Sequence, residues 1–295
     1  MINKKNIYMK VCFNELRPIF DVLNSKFPYA VIKGEPLSYY AYGEFGKRSP
    51  SDIDILVSRE NLKSLIEILK SFEFTSQMIN RNDEILMISH SHQYAPFCKN
   101  TNIAKINVDI NIDIFWGELK NKPIKVEEFL LDVVEMEIYN CKVKTLSPLK
   151  MLIQIILHHY KEMNSLYHLT KHNCINENMF KDVYFLLKNY RKEIHSKNLY
   201  DISVQYKIIP YVYYILYYTN QIFCDEMIEN LMLKFKTDEG EKLLNLYGLS
   251  EEERKEWKVD FITRLMHDDI YQFIKNDLTK KDIEKIENNK RLFGK

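Results

Sequence analysis

Paired cysteines, a long apolar run and an excess of one charge are all missing from this chain. Its 295 residues include five cysteines, an odd number, and no two of them form a Cys-x-x-Cys pair. Disulfides form in oxidising compartments, so scattered single cysteines predict free thiols and a cytoplasmic location. Residues 1–13 carry basic side chains but no long apolar stretch, so we expect no signal peptide.

No segment has the roughly 20 consecutive apolar residues that a membrane-spanning helix needs. The densest apolar stretch, residues 208–223, is interrupted by Pro210, Asn220 and Gln221. Lysine and arginine number 42 against 41 aspartates and glutamates, which gives a net charge of +1. Proteins whose main partner is nucleic acid usually carry a basic excess. The composition therefore disfavours both a membrane anchor and a polynucleotide partner.

The sequence changes character at Ser147-Pro148, where serine as N-cap and proline at the first helical position predict a helix start. Strands and helices are both predicted before this point, and only helices after it. The later helices are predicted at residues 148–163, 176–190, 198–222, 225–235, 250–274 and 279–290, the fifth opening with the capping-box pattern Ser250-Glu251-Glu252-Glu253. We therefore predict two domains, residues 1–146 and residues 147–295.

In the first part, helices are predicted at residues 8–25 and 59–72, and strands are predicted between and after them. The clearest strand is residues 103–115, in which apolar and polar residues alternate almost perfectly. The other strands are predicted at residues 31–32, 51–57, 74–79, 85–89 and 93–99, with a hairpin at 135–146 that turns at Tyr139-Asn140. The combination predicts an α+β fold, a mixed sheet with flanking helices followed by a helical domain.

Two carboxylates lie on one face of the predicted strand at residues 51–57. Side chains alternate with a period of two along a strand, so Asp52 and Asp54 project from the same face, roughly 6–7 Å apart. Adjacent acids repel each other and destabilise the strand unless a cation lies between them. Hard oxygen ligands of this kind suit Mg²⁺, so the pair predicts a divalent-metal site.

A third carboxylate for this site is available on the strand at residues 103–115, which contains Asp109 and Asp113. These two are four residues apart, roughly 13 Å along a strand, so both cannot join the same site. Phosphoryl and nucleotidyl transfer use divalent ions, held by such acids, to neutralise developing negative charge. The acids therefore indicate chemistry at a phosphate.

Phosphate-binding groups are expected upstream of the acid pair. Gly34 forms a turn into a short predicted helix, and the amides at a helix N-terminus bind phosphate. Lys33 and Arg48 are the candidate cations, although either can equally be a surface or ion-paired residue. The Ser51 hydroxyl can donate to a phosphate or stabilise a turn.

These residues together resemble the signature of the nucleotidyltransferase superfamily related to DNA polymerase β. The fuller pattern is similar to a bacterial family known as uncharacterised nucleotidyltransferases, and the resemblance covers residues 30–116. A looser match extends to His158, His159 and Asp182. The matching positions are Lys33-Gly34, Leu37, Tyr42, Arg48, Asp52-Ile53-Asp54 and Asp113-Ile114-Phe115-Trp116.

The resemblance implies a metal-dependent nucleotidyltransferase that moves a nucleoside monophosphate from an NTP to an acceptor and releases pyrophosphate. It implies Mg²⁺ or Mn²⁺ as the cofactor, ATP as the first choice of donor, and a hydroxyl or phosphate of a small molecule or peptide as the acceptor. Asp113 is implied as the third acid and Asp109 as a flanking residue. The implied roles are catalysis and metal binding for Asp52, Asp54 and Asp113, and phosphate positioning for Lys33, Gly34, Arg48 and Ser51.

Two residues depart from the family pattern. Glu35 follows Gly34 where the superfamily has Ser or Gly, which places an acid beside the expected triphosphate. Phe115 occupies the position where the family has His. Neither departure changes the three acids, so an active enzyme is favoured. The alternative is a non-catalytic member of the same fold that binds nucleotide or a partner protein and regulates.

Overall fold

The structure is a computed structural model that describes residues 4–48, 51–76, 81–116 and 124–293. Internal contacts divide the chain into two compact units, with Met151 the last residue of the first unit and Leu152 beginning the helical part of the second. The predicted domain limits, residues 1–146 and 147–295, stay a prediction. No helix in the described ranges is both long and apolar enough to cross a membrane.

The first unit contains a mixed seven-stranded sheet with helices, which confirms the predicted α+β fold. Its helices are α1 (Lys4–Lys26), α2 (Gly34–Tyr42), α3 (Leu62–Ser71), α4 (Arg81–His90) and α5 (Val126–Phe129). Its strands are β1 (Tyr29–Ile32), β2 (Ile53–Val57), β3 (Thr75–Ser76), β4 (Phe97–Asn100), β5 (Lys105–Asn111), β6 (Val134–Ile138) and β7 (Cys141–Thr145). The strand order is β3-β4-β5-β2-β1-β7-β6.

The central strands carry the core of this unit. Every residue of β1 and β2 is buried, as expected for strands covered on both faces. β2 is antiparallel to β1 and parallel to β5. The β6–β7 hairpin turns at Tyr139 and Asn140 with φ of 50° and 62°, the double positive φ that a tight two-residue hairpin requires, so this predicted hairpin is confirmed.

Some predicted strands of the first unit are wrong or shorter than expected. Residues 85–89 lie within helix α4, because a short apolar run has no period that separates strand from helix. Ile85 and Leu86 are exposed there. The strand expected at 93–99 begins at Phe97, and the one expected at 74–79 spans Thr75–Ser76, its residues from 77 onward lying outside the described residues.

The second unit is helical. Its helices are α6 (Pro148–Asn164, begun in the first unit), α7 (Glu177–Asn189), α8 (Ser196–Gln205), α9 (Ile209–Phe223), α10 (Glu226–Lys234), α11 (Asp238–Leu244), α12 (Phe261–Leu265), α13 (Tyr271–Ile274) and α14 (Lys280–Phe293). Two short strands, β8 (Leu246–Tyr247) and β9 (Lys255–Glu256), pair with each other in antiparallel orientation. Helix α9 carries five tyrosines, and α7, α10 and α11 pack against it.

Two predicted helices of this unit are corrected by the structure. The helix expected at 198–222 is interrupted at Lys207, whose φ of 53° is incompatible with a continuous helix. The prediction of one continuous helix at 250–274 is wrong, and residues 250–253 do not form a capping box. The Glu253 carboxylate is buried and accepts a hydrogen bond from the Leu249 amide at 3.3 Å. A tertiary contact of this acid thus replaces the local helix start.

Candidate active site

Asp54 and Asp109 are brought together by the pairing of the two parallel strands β2 and β5. In this register Ile53 pairs with Val108, and Asp54 pairs with Asp109. Residues paired in this way on neighbouring strands lie about 4.8 Å apart and project from the same face of the sheet. Both residues are buried, with 8% of each exposed. Two carboxylates therefore share one buried face of the sheet.

Asp113 lies apart from this pair. β5 ends at Asn111, which pairs with Leu56, so Asp113 follows the end of the strand. Its Oδ1 accepts hydrogen bonds from the amides of the next two residues at 2.8 and 3.2 Å, and its Oδ2 lies 3.4 Å from Arg59 Nη2. The register therefore favours Asp109 over the predicted Asp113 as the carboxylate beside Asp54.

Lys33 places a positive charge next to the paired acids. Its Nζ lies 2.8 Å from Asp54 Oδ1, and 15% of its side chain is exposed. Its backbone has φ 57° and ψ −140°, and Gly34 follows with φ 38°. A non-glycine residue seldom adopts this region, and such strain concentrates at functional sites. The turn from β1 into α2 thus holds Lys33 against Asp54 in an unfavourable backbone conformation.

Two amide side chains that the sequence reasoning missed complete the network. Asn111 Nδ2 donates to Asp54 Oδ1 at 3.0 Å, and Gln93 Nε2 donates to Asp109 Oδ2 at 2.8 Å. Asn111 is on the predicted polar face of strand 103–115, so alternation was a usable signal for it. Gln93 is positioned by an isolated antiparallel β-bridge to Asn111, outside the named strands. No local sequence pattern predicts this position.

The donor set fits a hard divalent cation. Asp54 and Asp109 supply carboxylate oxygens on one face, and Asp52 precedes β2 by one residue. Mg²⁺ prefers oxygen ligands and is held in proteins by one or two carboxylates together with substrate phosphates. Neighbouring buried carboxylates also repel each other unless a cation is near. The ammonium of Lys33 lies at one side of this pair.

Glu35, the acid that departs from the family pattern, binds the loop that follows α2. Its Oε2 accepts a hydrogen bond from the Gly46 amide at 2.7 Å, and its Oε1 accepts one from the Tyr139 hydroxyl at 3.2 Å. Burial raises the pKa of Glu35, while these hydrogen bonds and the charge of Arg48 act to lower it. Its carboxylate therefore has a structural role within the first unit.

Ser38 holds the same loop. The Ser38 hydroxyl donates to the Glu44 carbonyl at 2.9 Å and accepts from the amides of Lys47 and Arg48 at 3.0 and 3.3 Å. Ser38 is fully buried. One side chain thus fixes the backbone at Arg48, the cation expected to bind phosphate.

Ser38→Ala is expected to lower the free energy of unfolding by about 1–3 kcal/mol, because it leaves two amides without their acceptor. Urea denaturation measures this. Ser25→Ala is the matched control, since its exposed hydroxyl makes only a local bond to the Val22 carbonyl, and it should change stability by less than about 0.5 kcal/mol. Equal losses in the two variants would contradict the anchoring role of Ser38.

Ser51 and Asp52 immediately precede β2. Ser51 is exposed, and its backbone carbonyl lies 3.0 Å from the Tyr8 hydroxyl, which also lies 3.0 Å from the Lys105 carbonyl. Burial raises the pKa of Tyr8, and the negative charge of Asp52 contributes to the increase. Tyr8 therefore ties α1 to the start of β2, a contact that the sequence did not indicate.

A second cluster of ionisable side chains lies on α6. His158 Nε2 is 3.3 Å from Glu162 Oε1, and His159 Nδ1 is 3.7 Å from Glu162 Oε2. Glu162 is four and three residues beyond them, so both rings reach it although they are adjacent on the helix. Burial acts to raise the pKa of Glu162, but the charge of His158 and hydrogen bonds from both histidines lower it well below its usual value. Asp182, the remaining residue of the looser family match, lies on α7 and is fully buried.

His168 adds a pH dependence to this cluster. Burial lowers its pKa well below 6.5, and the charge of Lys161 lowers it further. The unfolded chain therefore binds a proton below about pH 6.5 that the folded protein does not, so stability falls as the pH decreases.

The free energy of unfolding is expected to decrease between pH 7 and pH 5, and His168→Gln should flatten this decrease. Urea denaturation across that range measures it, above the range in which a glutamate of ordinary pKa titrates. His172→Gln, at an exposed histidine, is the control and should keep the wild-type slope. A slope unchanged by His168→Gln would contradict the assignment.

This chain is similar to a known protein family and to a solved structure. A family model described as uncharacterised nucleotidyltransferase matches residues 8–224. Among solved structures, an antigenic nucleotidyltransferase-like protein from Paracoccidioides brasiliensis is 16% identical, with a TM-score of 0.36, and the match covers 69% of this chain and 92% of that chain. No curated protein matches significantly. The family match includes the paired acids, the turn at Lys33 and the helices through α9.

Proposed function

Because the chain belongs to the family of uncharacterised nucleotidyltransferases, we propose that it transfers a nucleoside monophosphate from an NTP to an acceptor hydroxyl or phosphate, with release of pyrophosphate. The observation that carries this proposal is the register of Asp54 with Asp109 on neighbouring parallel strands. Lys33 supplies a single positive charge to these two buried acids, which leaves the site favourable for a further cation. A divalent ion bound together with the triphosphate supplies that charge.

Asp54 and Asp109 would hold Mg²⁺ or Mn²⁺, with Asp52 as the third carboxylate. The ion, when bound, neutralises negative charge on the triphosphate and on the attacking and leaving oxygens. Asn111 and Gln93 donate hydrogen bonds to the two acids, which orients the carboxylates. Asp113, paired with Arg59, is assigned a structural role in this proposal.

Phosphate positioning is assigned to the turn between β1 and α2. The amides of Gly34 and Glu35 lie at the N-terminus of α2, before Pro36, which has no amide hydrogen, and a helix N-terminus favours negative charge. Lys33 directly precedes them and has its Nζ at Asp54, so it can bind a phosphate oxygen or the carboxylate. Arg48 and Ser51, which both precede β2 in the sequence, are proposed as further phosphate ligands.

The proposed acceptor is a small molecule or a peptide. A net charge of +1 supplies no general attraction for a polynucleotide backbone. The proposed donor is ATP, and the proposed location is the cytoplasm. The five cysteines are free thiols, which supports a reducing compartment.

Calorimetric titration with each of the four NTPs, in Mg²⁺ and in EDTA, tests the proposed function. We expect at least one NTP to bind, and to bind more tightly by about tenfold or more in Mg²⁺, because the ion links the triphosphate to the acids. Equal affinity in Mg²⁺ and EDTA would support the regulatory nucleotide-binding alternative. Absence of binding to all four in Mg²⁺ would contradict the transferase.

A further inference from the structure

A pocket of about 450 Å³ lies within the second unit, lined by residues of α9, α12 and the segment around β9. Pockets of 300–1,000 Å³ with mostly apolar walls and a few polar groups bind small molecules. Four aromatic side chains line this pocket: Tyr217, Tyr218, Trp257 and Phe261. Its size and its aromatic rings suit a small ligand with a planar group, and its polar lining residues, among them Gln221 and Asn245, suit a ligand that also carries polar atoms.

Arg264 brings a buried positive charge to the wall of this pocket. Only 2% of the residue is exposed. Its Nη2 donates to the Tyr218 hydroxyl at 2.9 Å, and its Nε donates to the Asp260 backbone carbonyl at 3.4 Å. Its Nη1 is buried without a hydrogen-bond partner in the described part of the chain. A guanidinium stays protonated at all physiological pH values, so this charge is permanent.

No carboxylate balances this charge among the residues that the structure describes: none of their ion pairs includes Arg264. Asp260 also lines this pocket, but its carboxylate caps α12, accepting from the Thr263 amide and hydroxyl at 2.8 and 3.0 Å. A buried charge without a partner is strongly unfavourable. An anion from outside the chain would relieve this.

Aromatic rings surround the guanidinium. Its Cζ lies 4.5 Å from the centre of the Trp257 ring, 5.3 Å from that of Tyr218 and 5.7 Å from that of Phe261. Aromatic ring faces attract the positive charge of the guanidinium, but they do not replace a hydrogen-bond acceptor for its Nη1. Trp257 Nε1 is a second buried donor without a partner among the described residues. Buried polar groups are nearly always hydrogen-bonded, so two of the residues that line this pocket each have a donor without an acceptor in the described part of the chain.

Tyr218 cannot supply that acceptor for Nη1. Its hydroxyl donates to the Leu244 carbonyl at 2.7 Å and already accepts from Arg264 Nη2. A water molecule would satisfy a donor but would not neutralise the charge. An oxyanion would satisfy both the donor and the charge.

We propose that this pocket binds a small planar or aromatic compound that carries a carboxylate or phosphate. The oxyanion accepts from Arg264 and Trp257, and the planar group packs among Tyr217, Tyr218 and Phe261. This site is independent of the proposed transferase chemistry, since it uses none of the strand acids. A ligand at this site would occupy the second unit whether or not the first unit binds NTP.

Tryptophan fluorescence gives a direct readout, because the chain has two tryptophans and Trp116→Phe leaves Trp257 as the single reporter. The probes are benzoate, phenyl phosphate, inorganic phosphate and neutral benzamide. We expect saturable quenching by benzoate or phenyl phosphate, and binding of benzamide and inorganic phosphate to be weaker by about tenfold or more. Whichever of the first two binds tighter identifies the head group. Equal binding of benzamide, or no saturable binding of any probe, would overturn the proposal.

Arg264→Gln is expected to weaken binding of the better probe by about tenfold or more, since a charge-assisted hydrogen bond is lost. Lys258→Gln removes an exposed neighbouring charge that pairs with Asp277, and it should keep the wild-type affinity. Trp257→Phe keeps a ring and loses the donor, so calorimetry should show weaker binding even if Arg264→Gln does not fold. Unchanged affinity in a folded Arg264→Gln, or in Trp257→Phe, would refute the site.

Discussion

Asp54→Asn is expected to abolish the Mg²⁺-dependent part of NTP binding, a loss of about tenfold or more, or roughly 1.4 kcal/mol. The substitution keeps the size of the side chain and an oxygen that can accept from Asn111, and it removes the negative charge. A metal ligand is lost, and Lys33 loses its carboxylate partner at 2.8 Å. Calorimetry with the NTP that the wild type prefers, in Mg²⁺ and in EDTA, measures the effect.

The fold of this variant must be checked separately, because a half-buried ion pair is broken. We expect a stability loss of about 1–3 kcal/mol, which leaves the protein folded by circular dichroism. Asp21→Asn, at an exposed carboxylate on α1, is the matched control and should retain both stability and NTP affinity. Retention of the Mg²⁺ effect in a folded Asp54→Asn protein would show that Asp54 is not a metal ligand.

Asp109→Asn is expected to lower Mg²⁺-dependent NTP affinity as strongly as Asp54→Asn, whereas Asp113→Asn should keep it within about threefold, or roughly 0.7 kcal/mol. The two residues are equally buried, at 8% and 9% exposed, so a general effect of burying an amide is matched between them. They differ in register, because only Asp109 pairs with Asp54.

The opposite outcome is as informative as the expected one. Loss of the Mg²⁺ effect in Asp113→Asn, with retention in Asp109→Asn, would mean that the family pattern identified the third acid correctly and the strand register did not. Because Asp113 pairs with Arg59, Arg59→Ala should then share the loss. In our proposal, Arg59→Ala leaves Mg²⁺-dependent binding unchanged.

Asp52 and Asp54 could be proposed as metal ligands from the sequence because the signal is local. Alternation over residues 51–57 places Asp52 and Asp54 on one face, and Lys33-Gly34 precedes them at a helix start. The choice between Asp109 and Asp113 could not be made from alternation, which puts both on the same face; the pairing of β2 with β5 is what places Asp109 beside Asp54. Register between strands distant in sequence is not encoded in the period of either strand.

Tertiary contacts explain other features that the sequence did not indicate. Glu35 is an acid at a phosphate-binding position by sequence, but its partners are Gly46 and Tyr139, the latter more than a hundred residues away. The three glutamates at 251–253 have the composition of a helix start, yet Glu253 binds the Leu249 amide instead. No sequence motif marks Arg264. It is a candidate binding residue because its side chain is buried and surrounded by aromatic rings.

The location of the metal tests the central claim most directly. Crystals grown with Mn²⁺ and a non-hydrolysable ATP analogue would show the ion in anomalous difference maps. Our proposal predicts an anomalous peak within about 2.5 Å of carboxylate oxygens from both Asp54 and Asp109, with the triphosphate at the N-terminus of α2. A peak coordinated by Asp113 without Asp109, or nucleotide bound with no ion at these acids, would contradict it.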